Sequence, residues 1–355
     1  MKKVLYVFSQ NHEDNLNNNF ENAPKEFSYA FNSINDAEYS KNYLIKFTNY
    51  NIFLRKIDLL INKFFDFSVD FFSFRNKYAK TIFRKNEILV FTNQNLAISS
   101  IFSNYFKKKK NNQKVIVFTM GLFELKNKNI LKKILILLIL KYTDKFLFLG
   151  ESEYKFAKIK YSKYKFKFYY TPFSIDTKFW KNQEIGQRKG VLFIGNDHNR
   201  DFNTLEKVII KFPKLQFTVV TNNDFFKNKN YENLNYINTS NNKLDFTDIR
   251  NLYCNHKITI IPLLNSLQPS GQSVALQSAS CYTPVIISKT IGTFSEEFIN
   301  NNHVVKFEKN DWVNKLDIIY NDDLTLNEIS KNSYELVKNK YNLEIFDRLV
   351  LNILD

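Results

Sequence analysis

Short apolar runs alternate with longer mixed segments along the chain, and this alternation predicts an α/β fold. A run of about four to eight apolar residues between polar turns is typical of a strand buried on both faces of a parallel sheet. Helices connect and cover such strands. The predicted strands lie at 4–9, 88–93, 114–119, 145–150, 167–171, 191–194, 216–221, 257–262 and 285–288. The predicted helices lie at 96–107, 130–142, 152–161, 202–211, 246–254, 273–281 and 294–300, with more helix after residue 311.

A polar segment at 181–189 predicts a linker between two domains. The length of 355 residues suits two domains of roughly 100–200 residues each. We therefore expect a first domain at 1–180 and a second at 181–342, without internal repeats. Asp201 is placed to cap the helix that follows it. The less regular segment 15–84, rich in Phe and Asn, is not assigned to particular elements.

The segment 268–288 carries the clearest sign of chemistry, because a polar loop there leads into a helix. Gly271 allows a ligand to approach the backbone closely. The first-turn amides of a helix have no intrahelical partner and carry partial positive charge, so they bind phosphates and diphosphates. The residues of this helix start are Ser270, Gly271, Gln272, Ser273 and Val274. An ordinary Ser-Gly cap without a ligand is the alternative interpretation.

Four separated segments resemble, in the expected order, the GT-B glycosyltransferases and most closely the retaining family 4. They are FLGESEYKFA at 148–157, YTPFSIDTKFW at 170–180, GVLFIGNDHNRDFNTL at 190–205, and LQSAS with YTPVI at 276–286. The resemblance implies two Rossmann-like α/β/α domains that face a cleft. It also implies that the amphipathic C-terminal helix, at about 343–355, returns to the first domain. The second domain would bind the nucleotide-sugar donor and the first the acceptor.

The same resemblance implies roles for individual residues of the donor site. Gly195 and Arg200 match the region in which a family Lys or Arg contacts the donor diphosphate, together with the helix start at 270–274. Arg200 and this helix start lie near the carboxyl edge of a predicted parallel sheet, where ligands bind in open α/β folds. The alternative for Arg200 is a position on a surface loop without a ligand. Gln277 stands where the family has a ribose-binding glutamate, and Pro269 replaces the first glutamate of that pair. A glutamine can still bind a hydroxyl, without charge assistance.

The acceptor side is less well defined by sequence. Its candidates are Gln10, Asn11, His12, Met120 and Gly121. Met120 stands where many family members have a catalytic His, so no catalytic residue is assigned. The four His residues lack the spacing of metal ligands. The resemblance accordingly implies a metal-independent enzyme with no cofactor besides its nucleotide-sugar co-substrate.

The formal net charge of +16 indicates a preference for anionic partners. Nucleotide sugars, anionic lipids and nucleic acids fit this charge, but no nucleic-acid-binding motif is present. The densest run, Lys107–Lys110, is interpreted as a solvated loop. The apolar run 134–140 is far shorter than the roughly 20 residues that span a bilayer, so it is a core helix or an interfacial one. Segment 161–170 alternates Lys with aromatic residues and predicts a half-buried strand.

The motifs and the composition leave two hypotheses about function. The first is a glycosyltransferase that moves a sugar to a glycan or lipid-linked acceptor with retention, in surface polysaccharide or glycolipid synthesis. The alternative is a non-catalytic nucleotide-sugar-binding or scaffold protein. An NAD-dependent oxidoreductase is excluded because no G-x-G-x-x-G follows the strands at 4–8 or 191–194. Two cysteines and no apparent signal peptide predict a cytoplasmic protein. The net charge and the apolar run 134–140 leave open whether it is also peripheral at the inner membrane face.

Overall fold

The computed structural model describes residues 1–9, 23–47, 50–65, 69–102, 112–123, 130–183, 187–292 and 295–354. It divides into two compact units. The first unit contains the described parts of 1–20, 27–171 and 347–355, and the second contains those of 21–26 and 172–346. Each unit is built around one six-stranded sheet in which all neighbouring strands are parallel.

The first sheet has the strand order β2-β1-β3-β4-β5-β6. Its strands are β1 (Lys2–Phe8), β2 (Tyr39–Ile45), β3 (Ile88–Phe91), β4 (Lys114–Thr119), β5 (Lys145–Phe148) and β6 (Phe168–Tyr170). Its helices are α1 (Ile52–Phe65), α2 (Lys77–Lys85), α3 (Gln94–Phe102), α4 (Ile130–Tyr142) and α5 (Glu151–Lys160). The central strands are apolar on both faces, as helices covering both sides of a parallel sheet require.

The second sheet has the strand order β12-β11-β10-β7-β8-β9. Its strands are β7 (Val191–Ile194), β8 (Phe217–Thr221), β9 (Leu234–Asn238), β10 (Ile258–Ile261), β11 (Val285–Ser288) and β12 (Val305–Phe307). Its helices are α6 (Phe202–Lys211), α7 (Phe246–Asn255), α8 (Gln272–Ser280), α9 (Asp311–Tyr320) and α10 (Asp323–Lys340), followed by α11 (Leu343–Leu354). The strand order reverses between β7 and β10, and loops that follow such strands form the usual ligand crevice of this architecture.

The nine strands predicted from sequence are confirmed: three have the predicted ends, and the ends of the other six differ by at most two residues. Asp201 caps α6 as predicted, since its side chain accepts a 3.0 Å hydrogen bond from the Thr204 amide. The helix predicted at 294–300 is wrong: within the described residues 295–300 the chain forms turns. There the Ser295 hydroxyl accepts from the amide of Glu297 and from the Tyr341 hydroxyl, so side-chain contacts replace helical ones.

The segment 161–170 is also only partly a strand. A 3-10 helix occupies Ser162–Lys167, and β6 takes only the last three residues. The Lys167 ammonium donates to the carbonyls of Leu140 and Thr143, which anchors this turn to the end of α4. Alternation of Lys with aromatic residues therefore marks a half-exposed turn here as well as an edge strand.

The division between the units falls at 171/172, nine residues before the predicted boundary. The intervening segment belongs to the second unit, and most of its apolar side chains are buried. The Ile175 amide donates to the carbonyl of Tyr341, and the Trp180 ring packs edge-on against Tyr253. At the other end of the chain, residues 347–355 group with the first unit, where the Lys145 ammonium donates to the Ile353 carbonyl.

Candidate donor-binding site

The loop after β7 is fixed to the end of β10 by backbone contacts. Arg200 pairs with Leu263 in an antiparallel bridge, and the Asp201 amide donates to the Pro262 carbonyl at 3.0 Å. The Leu264 amide donates in turn to the carbonyl of Asn199 at 2.8 Å. Because β7 and β10 flank the point where the strand order reverses, these contacts place the Arg200 loop at the ligand crevice of the second sheet.

Two glycines make room for the Arg200 guanidinium. A Cβ atom on Gly195 would lie 2.1 Å from Arg200 Nε and 2.7 Å from Cζ. A Cβ atom on Gly271 would lie 2.9 Å from Arg200 Nη1 and 2.7 Å from a methyl carbon of Ile261. The three residues Gly195, Arg200 and Gly271, each predicted from sequence, therefore meet within one unit.

Arg200 is a buried cation with unused hydrogen-bonding capacity. Its side chain is 3% exposed, and Nε lies 3.0 Å from Asp197 Oδ2. Among the described residues, neither Nε nor Nη1 has a partner with hydrogen-bond geometry. Burial lowers the pKa of Arg200, while Asp197 and Tyr253 act in the opposite direction, and a guanidinium remains protonated in proteins. Leaving charged donors buried and unsatisfied costs about 1–3 kcal/mol or more, which an anionic ligand would relieve.

The start of α8 lies beside this guanidinium. Gly271 is its N-cap, with φ of 76° and no side-chain cap hydrogen bond. The Ser270 hydroxyl is occupied, because it accepts a 2.8 Å hydrogen bond from the Asn199 side chain. Ser273 is half-buried, and Gln272 and Val274 are buried. The positive end of the helix dipole and the Arg200 charge thus act on the same point, as a site for a diphosphate requires.

Gln277 lies two turns further along α8 and belongs to a buried polar chain. Its Oε1 accepts from the Tyr253 hydroxyl at 3.2 Å, and its Nε2 donates to Glu26 Oε1 at 3.1 Å. Glu26 Oε1 also accepts from Trp180 Nε1 at 2.7 Å. Burial raises the pKa of Glu26 to about 7, although these hydrogen bonds oppose the rise. Sequence reasoning missed Glu26, Tyr253 and Asn199, of which only Asn199 lies in one of the four segments that carry the resemblance.

The acceptor-side candidates lie in the first unit, where the structure describes two of the five. The Gln94 side chain makes two hydrogen bonds to the backbone of Met120: it accepts from the amide at 3.1 Å and donates to the carbonyl at 2.8 Å. The buried Glu153 carboxylate accepts from the amides of Gly121 and Phe123 at 2.8 and 2.9 Å. Gly121, with φ of 85°, turns the chain away from the end of β4. Gln10, Asn11 and His12 lie outside the described residues, as does Lys107–Lys110.

A cavity of about 510 Å³ lies at the ends of β10, β11 and β12 in the second unit, next to the Arg200 loop, and Asp201 and Leu263 line part of it. Lys289 and Trp312 contribute to its lining. The Lys289 ammonium is 2.8 Å from Glu308 Oε1, and the Trp312 indole donates to the Ser288 hydroxyl at 3.2 Å. Lys289 and Trp312 therefore have partners within this cavity, whereas Arg200 Nη1 has none among the described residues.

Within the described part of the chain, no cluster of three or more His, Cys, Asp or Glu side chains is arranged to hold a metal ion. No helix among the described residues combines the length and apolar character needed to cross a bilayer.

Comparisons with known proteins identify the fold. No family model and no curated protein matches the sequence. HepE of Anabaena in complex with UDP-glucose matches with a TM-score of 0.67 and 10% identity, over 100% of this chain and 99% of that one. A glycosyltransferase from Rickettsia africae ESF-5 matches with a TM-score of 0.64 and 12% identity, over 99% and 97% of the two chains. The chain has the GT-B fold. The apo form of the lipopolysaccharide outer core galactosyltransferase WaaB shares it, with a TM-score of 0.58 and 10% identity over 100% and 99%.

Proposed function

We propose that this protein is a glycosyltransferase that moves a sugar from a nucleotide-sugar donor to a glycan or lipid-linked acceptor. The observation that carries the proposal is the buried Arg200 guanidinium, whose Nη1 has no hydrogen-bond partner among the described residues and lies beside the N-cap of α8. Fold neighbours include structures of HepE with UDP and with UDP-glucose, which supports a nucleotide sugar as the ligand. The expected pathway is surface polysaccharide or glycolipid synthesis.

Arg200 and the α8 amides would act on the leaving group. As the bond between the sugar and the diphosphate breaks, negative charge develops on the diphosphate, and fixed positive groups stabilise that charge in the transition state. These groups are already oriented and buried, so little reorganisation accompanies the reaction. Neutralisation by Arg200 and the helix start is the basis for proposing a metal-independent reaction. Activity that persists in a chelator would support this part of the proposal.

We further propose that transfer proceeds with retention, following the family 4 resemblance of four segments. The anomeric configuration of the product, measured by NMR on the transferred sugar, decides this point. Release of free nucleotide only in the presence of an acceptor identifies an enzyme. Tight binding of the nucleotide without turnover on any cell-extract acceptor would instead favour a non-catalytic nucleotide-sugar-binding protein.

The binding site is tested with Arg200→Ala. The loss of a charge-assisted contact to phosphate from a buried site costs about 1.5–3 kcal/mol, so affinity for UDP should fall by about 10- to 150-fold. Arg200→Lys, which retains charge but loses the planar fork, should fall between the wild type and Arg200→Ala. Isothermal calorimetry measures the affinities, and circular dichroism checks the fold. Unchanged affinity in Arg200→Ala would remove Arg200 from the site.

The charge distribution supports a membrane-facing first domain. Residues 1–180 contain 31 Lys and Arg against 15 Asp and Glu, whereas residues 181–355 contain 20 of each. The whole formal excess of +16 therefore belongs to the first half. A basic surface of this kind is attracted to anionic lipid head groups, with about 1 kcal/mol for each Lys or Arg near the surface.

Exposed apolar side chains are concentrated in the same unit. On α4, Ile130, Ile134 and Leu137 form one exposed row, while the opposite side of the helix is buried in the core. On α1, four apolar residues are more than half exposed, and exposed basic residues lie between them. The α1 apolar residues are Ile52, Phe53, Leu59 and Leu60. We propose that this unit binds the inner face of an anionic membrane reversibly, where lipid-linked acceptors are located.

A further inference from the structure

Glu26 is a buried carboxylate that lies against α8 without a cation beside it. The residue is 1% exposed, and no ion pair to it occurs among the described residues. Its Oε1 accepts from Trp180 Nε1 at 2.7 Å and from Gln277 Nε2 at 3.1 Å, and its Oε2 accepts from the Asp176 amide at 3.3 Å. Burial of a carboxyl group is costly, and these hydrogen bonds offset part of that cost.

One of these bonds fixes the orientation of the Gln277 carboxamide. Glu26 Oε1 already accepts from the Trp180 indole and acts as an acceptor toward Gln277 as well, so the amide nitrogen of Gln277 faces Glu26. The carbonyl oxygen then faces the Tyr253 hydroxyl, from which it accepts at 3.2 Å. These two contacts use one donor and one acceptor position of the carboxamide. One N–H and one lone pair remain, which together match a hydroxyl pair that both accepts and donates.

Gln277 is also at the right distance from the anion site. It follows Gly271 by six residues on one helix, which corresponds to roughly 9 Å along the axis. This is comparable to the distance between the diphosphate and the ribose hydroxyls of a nucleoside diphosphate. The Tyr253 phenol, which bonds to Gln277, also interacts electrostatically with Arg200. A nucleotide with its diphosphate at Arg200 would therefore place its ribose toward Gln277.

We propose that Glu26 is a positioning residue of the donor site: it holds the Gln277 carboxamide in the orientation that binds the ribose hydroxyls. The inference rests on the proposed nucleotide-sugar function and extends it to a residue from the N-terminal part of the chain. Glu26 does not contact the ligand in this arrangement. Glu26 restricts the Gln277 carboxamide to one of its two orientations before the nucleotide binds. Binding therefore loses no conformational entropy from fixing that orientation.

The test compares UDP, 2′,3′-dideoxy-UDP and inorganic pyrophosphate by calorimetry on the full chain. The wild type should prefer UDP to the dideoxy analogue by about tenfold, because two hydroxyl contacts are lost. Glu26→Met has a similar length but no acceptor, so this preference should fall to about twofold or less while pyrophosphate affinity is unchanged. Glu26→Gln should restore the preference, because both side-chain donors contact Oε1 and an amide oxygen can accept both.

Trp180→Phe is the matched control, because it removes the other side-chain donor to Glu26 and leaves Gln277 untouched. It should lower the melting temperature without changing the ribose preference, whereas a purely structural role for Glu26 would make it resemble Glu26→Met. If Glu26→Met does not fold, Glu26→Asp withdraws the carboxylate by one methylene and should lose the preference in the same way. An undiminished preference in these variants overturns the inference alone. A wild type that binds neither UDP nor pyrophosphate overturns the proposed function as well.

Discussion

Gly195→Ala displaces the Arg200 guanidinium without removing its charge. The new methyl group would lie 2.1 Å from Nε, 2.7 Å from Cζ and 2.9 Å from Cδ, all far inside van der Waals contact. The backbone at Gly195 does not have positive φ, so alanine meets no conformational obstacle there. The side chain of Arg200 must therefore move, and its Nη1 already lies close to Gly271.

The expected loss follows from the contacts that the guanidinium can no longer make. A displacement of an ångström or more weakens charge-assisted hydrogen bonds worth about 1.5–3 kcal/mol, so UDP affinity should fall by about 10- to 150-fold. Overpacking in a buried site also costs about 1–3 kcal/mol of folding stability. We therefore expect a lower melting temperature together with an unchanged far-UV spectrum.

Calorimetry with UDP on Gly195→Ala, Arg200→Ala and the double variant separates the two effects. If Gly195 acts through Arg200, the double variant loses no more affinity than Arg200→Ala alone, because the two changes remove the same contact. Gly150→Ala is the control: Gly150 lies in the first unit with φ of −122°, which suits alanine, and UDP affinity should be unchanged. Wild-type affinity in Gly195→Ala, or losses that add in the double variant, would refute this account of the site.

Two further predictions concern stability and the membrane. The pKa of Glu26 is about 7 in the folded protein and 4.5 ordinarily. The free energy of unfolding should therefore be highest below pH 4.5 and should decrease as the pH rises through about 7, because the buried carboxyl group then ionises. Glu26→Gln does not titrate and should exceed the wild type by up to about 3 kcal/mol at pH 8 and match it near pH 4.5; a pH-independent difference in denaturant unfolding would contradict this. The protein should co-sediment with anionic vesicles at low salt and be released at high salt. Ile134→Glu with Leu137→Glu should weaken this binding, while Ile318→Glu in the second unit should not; equal effects would mean that the surface is not localised.

Sequence patterns located the central strands but missed β2, β9 and β12. All three are edge strands, and β2 and β9 alternate irregularly between buried and exposed positions. A strand paired on one side only needs no continuous apolar run, so its periodicity is weak. The helix start at Gly271 was predictable because its signal is local: a glycine, small polar residues and a following helix. The turn at 295–300 was mistaken for a helix because its contacts come from α10 and the residue after it, Lys340 and Tyr341.

The polar chain behind α8 illustrates the limit of local reasoning about a binding site. In the sequence, Gln277 stands where the resemblance implies a ribose-binding glutamate, which would bind ribose more strongly. The sequence alone therefore favours a weakened donor site or a non-catalytic protein. In the structure a carboxylate is present in the same place, supplied by Glu26, 251 residues away along the chain. This acceptor holds the amide in one orientation and leaves its other N–H and lone pair able to bind a hydroxyl. The departure at position 277 therefore does not by itself argue against nucleotide binding, since the glutamine has a fixed hydrogen-bond partner.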